Sequence, residues 1–144
     1  MKLSTRARYA IRAMVAVARL SAANQPISLE RVARGTRVSR RYLEQLAIHL
    51  KRAALVKSVS GRNGGYLLAR PAEEILIGEI VEAAIGPINI VDCVLEPEIC
   101  MKSDCCECRD LYSLVNQSIR DTFNSLTLAD LVAYDMKEAK LELA

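Results

Sequence analysis

Apolar residues return at helical spacing through the start of the chain: Leu3, Ala7, Ala10, Ile11, Met14, Val17 and Ala18 predict an amphipathic helix over about residues 4–20, with Arg6, Arg8, Arg12 and Arg19 on its other side. Ser4 is placed to cap it. Asn24, Gln25 and Pro26 break the pattern. A second, short helix is expected from its cap Ser28 to about Arg34, with Glu30 in the first turn, where the helix dipole favours an acid, and with Gly35 ending it. Ser39 then caps a third helix, in which Leu43, Leu46, Ala47 and Leu50 share a core-facing side while Arg40, Arg41, Glu44 and Gln45 face outward. Two short helices about a tight turn make a helix-turn-helix.

The period then changes. Val56 to Ser60 and Tyr66 to Ala69 are short β-prone runs, and Gly61, Arg62, Asn63, Gly64 and Gly65 between them supply the positive-φ positions of a hairpin tip, so a two-stranded wing with a basic tip is expected. Pro71 closes this unit. Ile77 to Ile85 reads as a helix stopped by Gly86 and Pro87, and a loop follows over about 88–106. Leu111, Leu114, Val115, Ile119, Thr122 and Leu126 mark a long helix of about 18 residues, and Thr127 with Asp130 the start of a last short one. The fold class is mainly α: a winged helix-turn-helix unit over 1–72, then a loop and long helix over 73–144. The long helix has little core of its own to pack on. Its stripe is expected to be buried against a second copy, with packing back on the first helix as the alternative.

Charge sharpens this division. Residues 1–70 carry 15 Lys and Arg against Glu30 and Glu44, a net of +13, whereas residues 71–144 carry a net of −10, so the overall +3 hides a basic half that would attract a polyanion. Arg41 can donate to guanine edges or phosphate, Gln45 can pair with adenine and Glu44 can accept from cytosine. Tyr42 either fills a helix interface or meets phosphate. Arg6, Arg8, Arg40 and Lys57 are candidate phosphate contacts. No apolar run reaches the roughly 18 residues of a membrane span, and the Arg-rich, amphipathic start is unlike a secretory signal, so a cytoplasmic chain with no membrane partner is expected.

All five cysteines, Cys93, Cys100, Cys105, Cys106 and Cys108, fall within sixteen residues. An odd, clustered set is a poor disulfide framework, and in a reducing compartment such thiols are available as metal ligands or redox groups. A small thiol oxidoreductase is the enzymatic alternative. The Cys-Cys-x-Cys run precedes a helix in a mainly helical chain, with no βαβ unit, no Ser, His and Asp constellation and no phosphate-binding glycine loop, so a non-enzymatic role is expected.

MKLSTRARYAIRAM at the start, RRYLEQL in the third helix, SGRNGGYLLAR in the wing, IGEIVEAAIG before the cysteines, CCECRDLYSLV after them and TLADLV near the end resemble, in this order, the IscR and NsrR type of winged-helix regulator, the Rrf-two family. The resemblance implies a homodimer that binds double-stranded promoter DNA through the third helix and wing, usually as a repressor. It also implies an iron–sulfur cluster on the loop before the dimerisation helix. The family's three cysteines match Cys93, Cys100 and Cys106. Where IscR-like members carry a ligand His this chain has Arg109, and where some recruit an acidic side chain of the partner it has Arg8, so Cys108 or Cys105 is the expected fourth thiolate unless the fourth iron stays open. Either arrangement favours a four-iron over a two-iron cluster. Zinc binding, or thiol oxidation without metal, is the alternative. Members also place Arg before the first wing glycine; here that position is Ser60, and Arg62 is the substitute. Ser39 opens the recognition helix. Iron–sulfur supply, nitric oxide, oxygen and cysteine metabolism are all signals read by regulators of this type.

Overall fold

Ser4, Ser28 and Ser39 each start a helix, their hydroxyls accepting from the amides of Ala7, Arg31 and Tyr42. The computed structural model describes residues 1–21 and 24–134. These form helices α1 (Thr5–Leu20), α2 (Leu29–Thr36) and α3 (Arg40–Arg52), strands β1 (Val56–Val59) and β2 (Gly65–Leu68), and helices α4 (Ile77–Ile85), α5 (Asp92–Leu95), α6 (Glu107–Asn124) and α7 (Leu128–Ala133).

Gly35 does not end α2. The helix runs on to Thr36, and Arg37 takes the left-handed conformation (φ 57°) that closes it. The reason lies in Thr36, which is buried; its hydroxyl donates to the Val32 carbonyl (2.7 Å) and accepts from the Val38 amide (3.4 Å), fixing the turn without glycine.

The alanines at 7, 10 and 13, with Met14 and Val17, give α1 a low-relief face on which Ile77, Ile80, Val81 and Ala84 of α4 pack. The same apolar cluster takes in Val32, Leu43, Leu46, Leu50, Leu55 and Leu128, so the interior of residues 1–72 is continuous with that of α4 and α7. Burying so many aliphatic side chains, at roughly 1.5–3 kcal/mol each, is the main favourable term for this fold.

β1 and β2 pair antiparallel with Val56 opposite Leu68 and Val59 opposite Gly65. Ile27, from the loop before α2, adds a one-residue bridge to Tyr66, each amide donating to the other's carbonyl at 2.9 and 2.8 Å. That approach demands glycine: a Cβ on Gly65 would lie 2.3 Å from the Ile27 carbonyl oxygen. At the tip Gly61 has a positive φ (114°), but Arg62, Asn63 and Gly64 do not, contrary to the expectation from sequence.

α4 has the expected bounds. Its start is held by Glu79, which accepts from the Leu76 amide (2.9 Å) and pairs with Arg70 (2.8 Å), tying the end of the wing to α4. Burial works against ionisation of Glu79, but these hydrogen bonds and the Arg70 charge outweigh it and hold its carboxyl below the usual range.

The stretch after Gly86 is not the plain loop expected. It winds through α5 and two 3₁₀ turns, Pro97–Ile99 and Ser103–Cys105, with Pro97 preset for the first position of its turn. α6 packs on α4, with Ile119 and Phe123 against the core, so α4 and not the first helix takes the role given to that helix in the alternative above. Contact is close at Gly78, where a Cβ would meet the carboxamide of Asn124. Thr127 and Asp130 form a capping box on α7, and Leu128 donates to the Ile75 carbonyl (2.7 Å). Among the described residues no helix is long and apolar enough to cross a membrane.

Candidate nucleic-acid interface and thiol segment

α3 is amphipathic in the sense the sequence predicts: Leu43, Leu46, Ala47 and Leu50 are buried, while Arg40, Arg41, Glu44 and Gln45 are exposed. Arg40 donates to Glu44 at 3.1 Å in an i, i+4 pair open to water, worth a few tenths of a kcal/mol and readily exchanged for another partner. Arg41 and Gln45 make no side-chain hydrogen bond among the described residues and stand free beside it. Ser39 spends its acceptor on the cap. Tyr42 is half-buried with its ring edge-on to Tyr9 (centroids 5.8 Å apart, planes at 85°), and the Arg12 guanidinium lies 5.5 Å from the Tyr9 ring centre. The Tyr42 ring thus packs in the helix interface, as one of its two readings expects.

Two contacts with no periodic signature tie the basic elements together. Arg6 on α1 donates to Nε2 of His49 in the last turn of α3. Lys51 donates to the Ser58 hydroxyl (2.8 Å), joining α3 to β1 of the wing. Arg8 is exposed, and among the described residues its side chain bonds only Thr5 (3.1 Å). Lys57 on β1 and Ser60 and Arg62 at the tip are exposed. Arg37, forced outward by its left-handed backbone at the turn, is a basic group that reading by helical faces passed over.

The thiols lie between α5 and α6. Cys93 is in α5, Cys100 follows the Pro97–Ile99 turn, Cys105 ends the next turn, Cys106 is the N-cap of α6 and Cys108 sits in its first turn. All five are free. Cys93, Cys100 and Cys106 are half-buried, whereas Cys105 and Cys108 are exposed. Among the described residues no three His, Cys, Asp or Glu side chains are gathered as a ready metal site. The donor set is chemically apt for an iron–sulfur cluster all the same: five soft sulfur donors in one segment, with the sole histidine engaged on α3. α6 grips the segment in two places. Arg109 Nε donates to the Cys93 carbonyl (3.0 Å), and buried Asn116 accepts from the Ile90 amide (3.0 Å) while donating to the Ile88 carbonyl (3.2 Å). The outer side of α6 is apolar and open: Leu111 and Leu114 are 57% and 67% exposed, and Val115, Ile119 and Phe123 line a shallow groove.

The chain matches the Rrf2 family, described as iron-dependent transcriptional regulator, over residues 3–134. It is 37% identical over 134 residues to the HTH-type transcriptional regulator CymR of Bacillus subtilis, covering 93% of this chain and 91% of that protein. It is 36% identical over 132 residues to the regulator IscR of Serratia proteamaculans, covering 92% and 79%. The solved structure of B. subtilis CymR, described as the global cysteine regulator, matches with a TM-score of 0.76 at 32% identity over 94% of this chain and 98% of that one. IscR of T. potens matches with a TM-score of 0.71 at 32% identity over 100% and 92%. These relatives are named as regulators and not as enzymes, and their fold is the winged helix found here. The chain belongs to the Rrf2 family of DNA-binding transcriptional regulators.

Proposed function

We propose that the protein acts as a homodimeric repressor on promoter DNA and senses iron–sulfur, redox or nitric oxide status through a cluster held by Cys93, Cys100 and Cys106. The observation that carries the proposal is the sorting of the thiols: three are half-buried and two exposed, all free, in a segment bonded to the helix with the uncovered apolar face. The fourth iron position takes Cys108 or Cys105 or stays open, which favours a four-iron over a two-iron cluster. When bound, the cluster would supply redox-active iron, reachable by small diatomic ligands where the fourth position is open. Arg41, Gln45 and Glu44 read base edges; Arg6, Arg8, Arg40 and Lys57 meet phosphates; and Arg62, beside Ser60, carries the wing tip to the duplex. Ser39 sets where the reading helix begins, and Tyr42 supports it from behind. The exposed face of α6 covers that of a second copy, as reading a two-fold site requires. A cytoplasmic location follows from the target.

Purification without air, followed by visible absorption with iron and sulfide analysis, tests the cluster. A coloured protein with matching iron and sulfide is expected, and its colour should vanish in Cys93→Ala, Cys100→Ala and Cys106→Ala. Colourless protein lacking both elements overturns the proposal. A second reading, regulation through the thiols without iron, or through zinc, is favoured by the near full-length likeness to a protein described as a cysteine regulator. Promoter affinity that follows thiol oxidation or zinc content in iron-free protein would establish it.

A further inference from the structure

Thr36 and Asn116 are the buried polar side chains among the described residues, and Asn116 is the one fully buried residue of α6. Its carboxamide acts as a strand would, accepting from the Ile90 amide and donating to the Ile88 carbonyl, so both of its polar atoms are spent on the backbone that leads into α5. Two helical turns earlier, about 10 Å along the axis, Arg109 holds the Cys93 carbonyl. Arg120, four residues beyond Asn116, lies 3.9 Å from Glu82 of α4. Positions 109, 116 and 120 fall on one side of α6. From these contacts we infer that Arg109 and Asn116 are positioning residues: they form a polar seam through which α6 sets the place of the first thiol, Cys93, and through which a change in the thiol segment reaches the rest of the helix. Leu111 and Leu114 ride on that same helix, so α6 cannot turn or slide without breaking directional bonds to the thiol segment. An apolar contact would let it slip. The inference rests on the proposal that this segment is the sensing site.

The test begins with metal-free, reduced protein alkylated by N-ethylmaleimide and followed at each cysteine by mass spectrometry. Arg109→Gln should raise the rate at Cys93 by about fivefold, the factor that the loss of one ordinary hydrogen bond gives, with Cys105 and Cys108 unchanged, and Arg109→Lys should restore most of the protection. No change at Cys93, or an equal rise at all five thiols, overturns the inference. Asn116→Leu, which keeps the volume and loses the bonds, should speed hydrogen exchange of the Ile90 amide together with Cys93 alkylation; if that variant does not fold, the Arg109 pair decides alone. Promoter binding, compared between protein reconstituted with iron and sulfide and metal-free protein, then separates the two ideas. A wild type with no difference sinks the sensing proposal. A wild-type difference that survives undiminished in Arg109→Gln and Asn116→Leu sinks the seam.

Discussion

α3 and α6 carry the same kind of apolar stripe and meet opposite fates. In α3 the residues Leu43, Leu46, Ala47 and Leu50 are at most 5% exposed, closed over by α1, α2 and α4. In α6 only Asn116 is buried, and Leu114 is 67% exposed. A hydrophobic repeat therefore says that a face is to be covered without saying by what. The third helix is satisfied within one chain, and the outer face of the long helix is left open. Its grip on its own chain combines polar contacts through Arg109, Asn116 and Arg120 with apolar ones through Ile119 and Phe123.

If that contrast holds, Leu46→Ala should lower unfolding stability by about 2–5 kcal/mol in urea titrations, while Leu114→Ala should change it by less than about 0.5 kcal/mol under conditions that keep the protein monomeric. Similar losses from both would mean that α6 is also covered within its own chain. A charge on the open face sharpens the point. Leu114→Glu should weaken self-association by about tenfold or more in sedimentation equilibrium, with the helical circular dichroism retained. An unchanged association constant would remove α6 from the dimer interface.

The outer face of α3 offers a smaller effect. Arg41→Ala should cost about 1–3 kcal/mol on a specific promoter site and little on random duplex, whereas Arg8→Ala should weaken both alike and lower the salt slope by about one. Equal losses on both duplexes from Arg41→Ala would make it a phosphate contact. The smallest expected effect is at Glu79. Its folded-state carboxyl titrates below the ordinary value of 4.5, so the Arg70 contact contributes fully at neutral pH and is lost as the pH falls through the folded value. Because the pair is partly open to water, the effect should stay below about 1 kcal/mol. Arg70→Ala should therefore lower the unfolding midpoint at pH 7, with the loss shrinking as the pH falls below 4.5 and through the folded value; an equal drop at every pH would point to lost packing.

Much of the fold was legible because it is written in local rules. Serine caps gave the starts of α1, α2 and α3, aliphatic periodicity gave their buried faces, and the glycines gave the turn of the wing. What escaped was long-range and singular. Gly35 looked like a stop, but the buried Thr36 hydroxyl carries the turn, and no repeat announces a bond from residue 36 to residue 32. Asn116 read as one more polar position on a helix, since nothing near it in sequence mentions Ile88 or Ile90. Arg109 stood out only as a departure from a pattern, and its bond to the Cys93 carbonyl depends on the course of α5 and the 3₁₀ turns. The thiols illustrate both sides of this. Their clustering was plain from the sequence, while their division into three half-buried and two exposed groups needed the fold.

The strands of the wing are fastened on two sides just below the turn, by Ile27 against Gly65 and Tyr66 and by Lys51 on Ser58, while beyond Gly61 there is open space. Sequence drift is thus channelled. A substitution at Gly65 would push a methyl group into a neighbouring carbonyl, whereas Arg62 and Asn63 are exposed at the tip and can be exchanged without disturbing the strands. After gene duplication, two descendants of such a chain can come to differ at a pair of tip residues, with the scaffold beneath inherited intact.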